Sequence, residues 1–96
     1  MEVEFDEVKR QQNIDKHGID LLYGALIFDG LTVEAPDTRN DYGEDRIVAI
    51  GFVDDLCIVT VYVQRGSVIR LISTRKGGRR DRRKYEEAIS RRGAGA

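Results

Sequence analysis

Three stretches rich in Val and Ile, Arg46–Val53, Leu56–Gln64 and Ser67–Thr74, are separated by only Asp54-Asp55 and Arg65-Gly66. Two-residue gaps between β-branched runs signal tight hairpins, so most of the second half of the chain is committed to one antiparallel meander. The register then follows by arithmetic. Residues whose numbers sum to 109 pair in the first hairpin, and those summing to 131 pair in the second. Arg46 opposes Val63, Val63 opposes Val68, and Arg70 opposes Val61. Side chains alternate between faces, so Arg46 and Arg70 project from the same face, with backbones about 12 Å apart. At that span two guanidinium arms grip successive phosphates, or else snorkel from the edge of a core.

Around the meander, Glu2 to Phe5 alternates polar and apolar residues as a short strand does. Asp6 reads as an N-cap, and the helix after it runs to His17, where Gly18 supplies the stop. Asp20 caps a second helix carrying Leu22, Ala25, Leu26 and Phe28 at helical spacing, ended by Asp29-Gly30. Leu31 to Ala35 is a strand halted by Pro36, and Asp37 to Asp45 is a polar loop. Gly77-Gly78 breaks the chain before a last helix over Arg79–Ser90. The expected fold class is α+β, in the order β-α-α-β-β-β-β-α. It forms one domain over residues 1–92, with residues 93–96 as a disordered tail.

The net charge of −1 conceals a split. Residues 1–69 hold 6 Lys/Arg against 14 Asp/Glu, a net of −8; residues 70–96 hold 10 against 3, a net of +7. A basic end of this kind points to nucleic acid or a membrane surface. The run Arg79-Arg80-Asp81-Arg82-Arg83-Lys84, flanked by Arg70, Arg75 and Lys76, has the composition of a phosphate-binding surface. It also has that of a solvated helix face. Tyr85, Ala88 and Ile89 give its helix only a thin apolar stripe.

Lys9, Asn13, Lys16 and His17 share a face of the first helix. Lys16 and His17 in its last turn complement the dipole, which already explains them structurally. The chain's one His there is also placed to move a proton near neutral pH. Asp37, Asp41, Glu44 and Asp45 fit no EF-hand loop, and one His with one Cys makes no common zinc cage. Neither a metal nor another cofactor is expected. Cys57, inside an apolar run, reads as a small buried hydrophobe. The N-terminal residues do not resemble a secretory leader, and no apolar stretch is long enough for a membrane helix, so a cytoplasmic location and no membrane partner are expected.

These segments together resemble the BrnT family of type II toxins, RelE-like ribonucleases paired with BrnA antitoxins. The resemblance rests on Phe5-Asp6, Lys9, Asn13 and Lys16-His17-Gly18-Ile19, continued by Ala25 and Phe28-Asp29. It goes on through Tyr42-Gly43-Glu44-Asp45-Arg46 and the strand after it, then Ile69-Arg70, Ile72-Ser73, Arg75-Lys76, Arg82-Arg83 and Tyr85-Glu86. Asp81 stands where the family more often has Glu. Gly77 and Gly78 replace an Ala and a polar residue, which should loosen the entry to the last helix.

The resemblance implies a RelE-like fold with helices on one face of a small, mostly antiparallel sheet. It implies metal-independent RNA cleavage through the 2′-hydroxyl, inhibition of translation and growth, and a DNA-binding BrnA-like antitoxin that autoregulates the operon in complex. Arg46, Arg70 and Arg75 are then candidates for charge stabilisation, Lys16 and His17 for proton handling, and Tyr85 for base stacking or proton donation. Lys76, Arg79, Arg80, Arg82 and Arg83 are the candidate RNA-binding residues. The alternative is a nucleic-acid-binding module without catalysis, which accounts for the charge split but not for the first signature.

Overall fold

The structure, a computed structural model, describes residues 1–94. Its elements are β1 (Glu2–Glu4), α1 (Glu7–His17), α2 (Leu21–Gly24), a 3₁₀ segment (Ala25–Asp29), β2 (Val33–Pro36), β3 (Ile47–Val53), β4 (Leu56–Arg65), β5 (Val68–Lys76) and α3 (Arg79–Ala94). Among the described residues the strands form one sheet in the order β1-β5-β4-β3-β2. β1 joins β5 in parallel and the other pairs are antiparallel. The mixed α+β class and the element order expected from the sequence are both observed. Of the stretch 93–96, Gly93 and Ala94 extend α3, and Gly95 and Ala96 lie outside the described residues.

Asp6 caps α1 as its composition suggests, accepting from Val8 N–H and Lys9 N–H, and Gly18 ends it at φ 70°. Asp20 caps α2 through Leu22 N–H and grips the Arg10 guanidinium, which ties the two helices together. The second helix is not the single element expected. After one turn it tightens to 3₁₀, because Gly24 lies directly on Thr60 and Thr74, where a Cβ would collide with both hydroxyls. Those hydroxyls donate to Gly24 O (3.2 Å) and Leu21 O (3.3 Å), carbonyls that would otherwise face the next turn.

The first hairpin has the expected register throughout, from Ile47↔Tyr62 to Val53↔Leu56. The second does not. Arg65 pairs with Val68, so the loop is Gly66-Ser67 rather than Arg65-Gly66. Gly66 has φ 60°, and a two-residue hairpin loop places its left-handed residue where glycine is available. A bulge at Ile72 shifts the ladder once more, between Tyr62↔Leu71 and Val61↔Ser73. Near the turn the partners move by two, an even number, so the expected faces survive.

One face of the sheet, carrying Ala49, Ile58, Tyr62 and Leu71, buries Ile19, Leu21 and Ile27 from the α1–α2 side. The other face carries Ile50, Cys57 and Val59, which pack with Val48, Phe52 and Tyr85 of α3. The helices therefore occupy both faces, with α3 apart from the other two. The Gly77-Gly78 entry to α3 is a close approach rather than a loose hinge. Gly77 N–H donates to Cys57 O, and a Cβ at Gly77 would meet Cys57 side-chain atoms, Cβ at 3.1 Å among them. Gly78 N–H donates to Asp81 Oδ2 at 2.9 Å, closing the first turn.

Candidate active site

Because β1 is short, it covers β5 only from Val68 to Arg70 and leaves the edge beyond bare. Asn13 of α1 closes that edge. Its side-chain amide is buried, donates to Thr74 O (2.8 Å) and Ile19 O (2.8 Å), and accepts from Thr74 N–H (3.0 Å). The amide thus stands in for a missing strand, and it fixes the end of α1 beside Arg75. Lys16 and His17 consequently reach the α3 face of the sheet around its edge.

There they help line a cleft of about 510 Å³, a size typical of ligand sites. Val48, Ile50, Val59, Val61 and Ser73 form its floor, across β3, β4 and β5. One wall is built from Arg75, Lys16, His17 and the start of α3 with Asp81 and Lys84; the other is β2 and its continuation through Arg39. The register places Arg75, Val59, Ile50 and Val33 in one row, so the walls stand three strand spacings apart, roughly 14 Å.

Each wall holds an arginine on an aspartate, by a different edge of the guanidinium. Arg75 Nη1 and Nη2 donate to Asp81 at 2.9 and 3.3 Å. The Arg75 guanidinium and the Gly78 N–H hold the Asp81 carboxyl below the usual carboxylate range. Across the cleft, Arg39 Nε and Nη2 donate to Asp37 Oδ1 and Oδ2, both at 2.8 Å. The Asp37 side chain is only 1% exposed, and the Arg39 guanidinium pulls its pKa down to about 2.

Of the residues singled out from the sequence, Lys16, His17 and Arg75 are brought together at this cleft. Arg46 and Arg70 are not among its lining residues. They lie further along the same face, where Arg70 opposes Val63 and the first hairpin's pairing, continued one residue, sets Arg46 opposite Val63 as well. They are therefore level, about 10 Å apart, instead of staggered. Carboxylates link them through Arg65. Glu4 reaches Arg70 (3.5 Å) and Arg65 (3.6 Å), and Glu44 reaches Arg65 (3.4 Å) and Arg46 (3.4 Å). The Arg46 guanidinium also stacks 3.9 Å over the Tyr42 ring.

Tyr85 packs edge-on against Phe52 (5.0 Å between ring centroids) and donates to Leu31 O, so its ring docks α3 rather than lining the cleft. Lys76, Arg79, Arg80, Arg82 and Arg83 are all exposed, and Arg82 donates to Asp55 O at 3.2 Å. The acidic residues of the 37–45 loop do not converge. Asp37 holds Arg39, Asp41 accepts from Gly43 N–H, and Glu44 faces arginines.

The family model of BrnT, the ribonuclease toxin of type II toxin–antitoxin systems, matches residues 5–81. This chain belongs to the BrnT family. The crystal structure of the Brucella abortus ribonuclease toxin BrnT is similar, with a TM-score of 0.65 and 30% sequence identity, over 82% of this chain and 99% of that one. Among curated proteins no sequence matches. As a BrnT toxin the chain is a ribonuclease component of a type II system, and such a system implies an antitoxin and an RNA substrate.

The BrnT match ends at Asp81, the residue that holds Arg75, so the cleft lining falls within it except for Lys84, and most of α3 falls beyond it. Sequence reasoning assigned Arg39 no role. Its signal was the Asp-x-Arg spacing directly after Pro36, easily read as one more polar pair in a loop. Ser73 and Lys84 were visible only as members of longer motifs.

Proposed function

We propose that this chain is an endoribonuclease that cuts RNA by metal-independent attack of a 2′-hydroxyl, thereby inhibiting translation and growth. A BrnA-like, DNA-binding antitoxin neutralises it, and the complex represses its own operon. The observation that carries the reading is the meeting of Lys16, His17 and Arg75 at one cleft. RNA brings its own nucleophile. The 2′-oxygen bonds to phosphorus and loses its proton to a base, while the bond to the 5′-oxygen breaks and that oxygen takes a proton from an acid. The products are a 2′,3′-cyclic phosphate and a free 5′-hydroxyl. His17 and Lys16 handle the protons, and Arg75 neutralises charge on the phosphorane.

Arg46 and Arg70 act one step removed, holding flanking phosphates along the same face. The exposed Lys76, Arg79, Arg80, Arg82 and Arg83 supply the field that draws RNA in. The proposal places its action in the cytoplasm; among the described residues no helix is long and apolar enough to cross a membrane.

Purified protein should cleave RNA in excess EDTA and spare DNA, and Arg75→Ala should remove cleavage at equal soluble yield. Cleavage that stops with chelator and returns with magnesium refutes the metal-independent route. RNA binding without any cleavage selects the alternative, a non-catalytic binding module.

A further inference from the structure

We infer that Arg39 is a second phosphate-binding residue of the cleft, held in position by Asp37, so that a single RNA strand is gripped from both walls. The inference rests on the ribonuclease reading of the site and adds the wall opposite Arg75.

The argument begins with the burial of Asp37. Its side chain is 1% exposed whereas that of Arg39 is 70% exposed. A carboxylate cut off from water needs its hydrogen bonds, so the pair resists opening. The aspartate is itself anchored, because its N–H donates to Arg46 O at 2.8 Å and extends the β2–β3 ladder past Pro36. Arg39 N–H also turns back onto Oδ1, at 3.3 Å. One edge of the guanidinium and the residue's own backbone are thereby fixed to the end of the sheet.

The bond pattern then determines which atoms are free. Nε and one hydrogen of Nη2 face Asp37, and although the Tyr42 hydroxyl lies close to the pair, Nη1 and the outer hydrogen of Nη2 donate to no group among the described residues and are left for a ligand. Guanidinium geometry suits a phosphate at that edge. An arginine held beforehand loses less side-chain freedom on binding than one on an open loop. The opposite wall also holds its arginine on an aspartate, with Arg75 bound through Nη1 and Nη2 to Asp81, which is 16% exposed, and its Nε left free of Asp81. Two arginines, each fixed by a nearby aspartate and both lining one cleft, make a clamp for a chain with a negative charge on every residue. A brace needed only to shape the loop has no reason to present its guanidinium at the cleft.

The test uses the full chain and an oligoribonucleotide with 2′-O-methyl groups, which binds without being cut. Arg39→Ala and Arg39→Gln should both weaken binding about tenfold. Each should also lower the slope of log affinity against log salt by about 0.7, the loss of one phosphate contact on a single strand. Glutamine keeps a hydrogen bond to Asp37, so its defect reports charge rather than a collapsed loop. With cleavable RNA both variants should raise KM more than they lower kcat. Asp37→Asn should keep the salt slope and weaken binding by a smaller factor, because the charge stays but its position is no longer fixed. Unchanged affinity and slope in both Arg39 variants overturn the inference. If the wild type binds RNA but never cuts it, the ribonuclease reading fails while the binding comparison still decides the role of Arg39.

Discussion

Asn13 is the residue through which the fold positions the site, and its replacement separates a donor from an acceptor requirement. Its amide makes three buried hydrogen bonds, two donated to carbonyls and one accepted from Thr74 N–H. Asn13→Ala removes all three and leaves those backbone groups without partners. A buried polar group left unsatisfied costs about 1–3 kcal/mol. Thr74 lies on the part of β5 that β1 leaves uncovered, where water can enter the gap left by alanine, so the low end applies to each group. The expected total is about 2–4 kcal/mol. For a chain of this size each kcal/mol lowers Tm by about 4–8 °C, which predicts a fall of roughly 8–32 °C. Asn13→Asp is nearly isosteric but replaces the donor with a carboxylate oxygen aimed at Thr74 O and Ile19 O. It should therefore be less stable than the alanine variant at neutral pH, and recover as acid protonates the new carboxyl. Urea unfolding followed by circular dichroism measures both. A loss below about 1 kcal/mol for alanine, with aspartate no worse, refutes the view that this amide replaces a strand.

Asp37 has a folded pKa of about 2, below the unfolded value of about 3.9. Its stabilising contribution is thus complete above pH 4 and lost as pH falls toward 2, and Asp37→Asn should flatten the Tm profile in that window. Gly77→Ala forces a methyl group against Cys57 and should cost about 1–3 kcal/mol; in a Cys57→Ala background the cost should shrink, and strict additivity would refute the contact. The proposed antitoxin is expected to cover α3 and mask Arg75 to Tyr85. Amides 79–90 should exchange faster than those of 56–74 in the free chain and become protected in the complex, whereas protection confined to α1 and α2 would place inhibition elsewhere.

The fold was legible where the sequence signal is local. Capping by Asp6 and Asp20, the stop at Gly18 and the first hairpin all follow from neighbours in the chain. Error entered where a distant contact decides. The second helix breaks because Thr60 and Thr74, more than thirty residues away, draw off its carbonyls. The second hairpin slipped because Arg65-Gly66 and Gly66-Ser67 are both plausible loops until glycine's φ is assigned. Gly77-Gly78 looked like a hinge only because Cys57, its packing partner, lies twenty residues upstream.

The site was legible as a set of residue types but not as a place. Charge counting found Arg75, and helical spacing found Lys16 and His17; neither shows that these residues share one cleft. That meeting depends on the shortness of β1, which exposes the edge of β5 to Asn13. Alternation found the common face of Arg46 and Arg70, yet it is silent on which carboxylates share that face. The Glu4 and Glu44 links through Arg65 change the meaning of those arginines. Within the chain their charges are already met by carboxylates at 3.4–3.6 Å, so RNA phosphates must displace or share those partners to bind there. The contacts are longer than those that hold Arg39 and Arg75, at 2.8 and 2.9 Å, and so are easier to exchange. A strand entering this face thus meets two fixed arginines at the cleft and three exchangeable ones beyond it. On the proposed function, cutting would take place at the rigid end, where the reacting phosphate must be held still, and the loosely paired end would suit successive flanking phosphates.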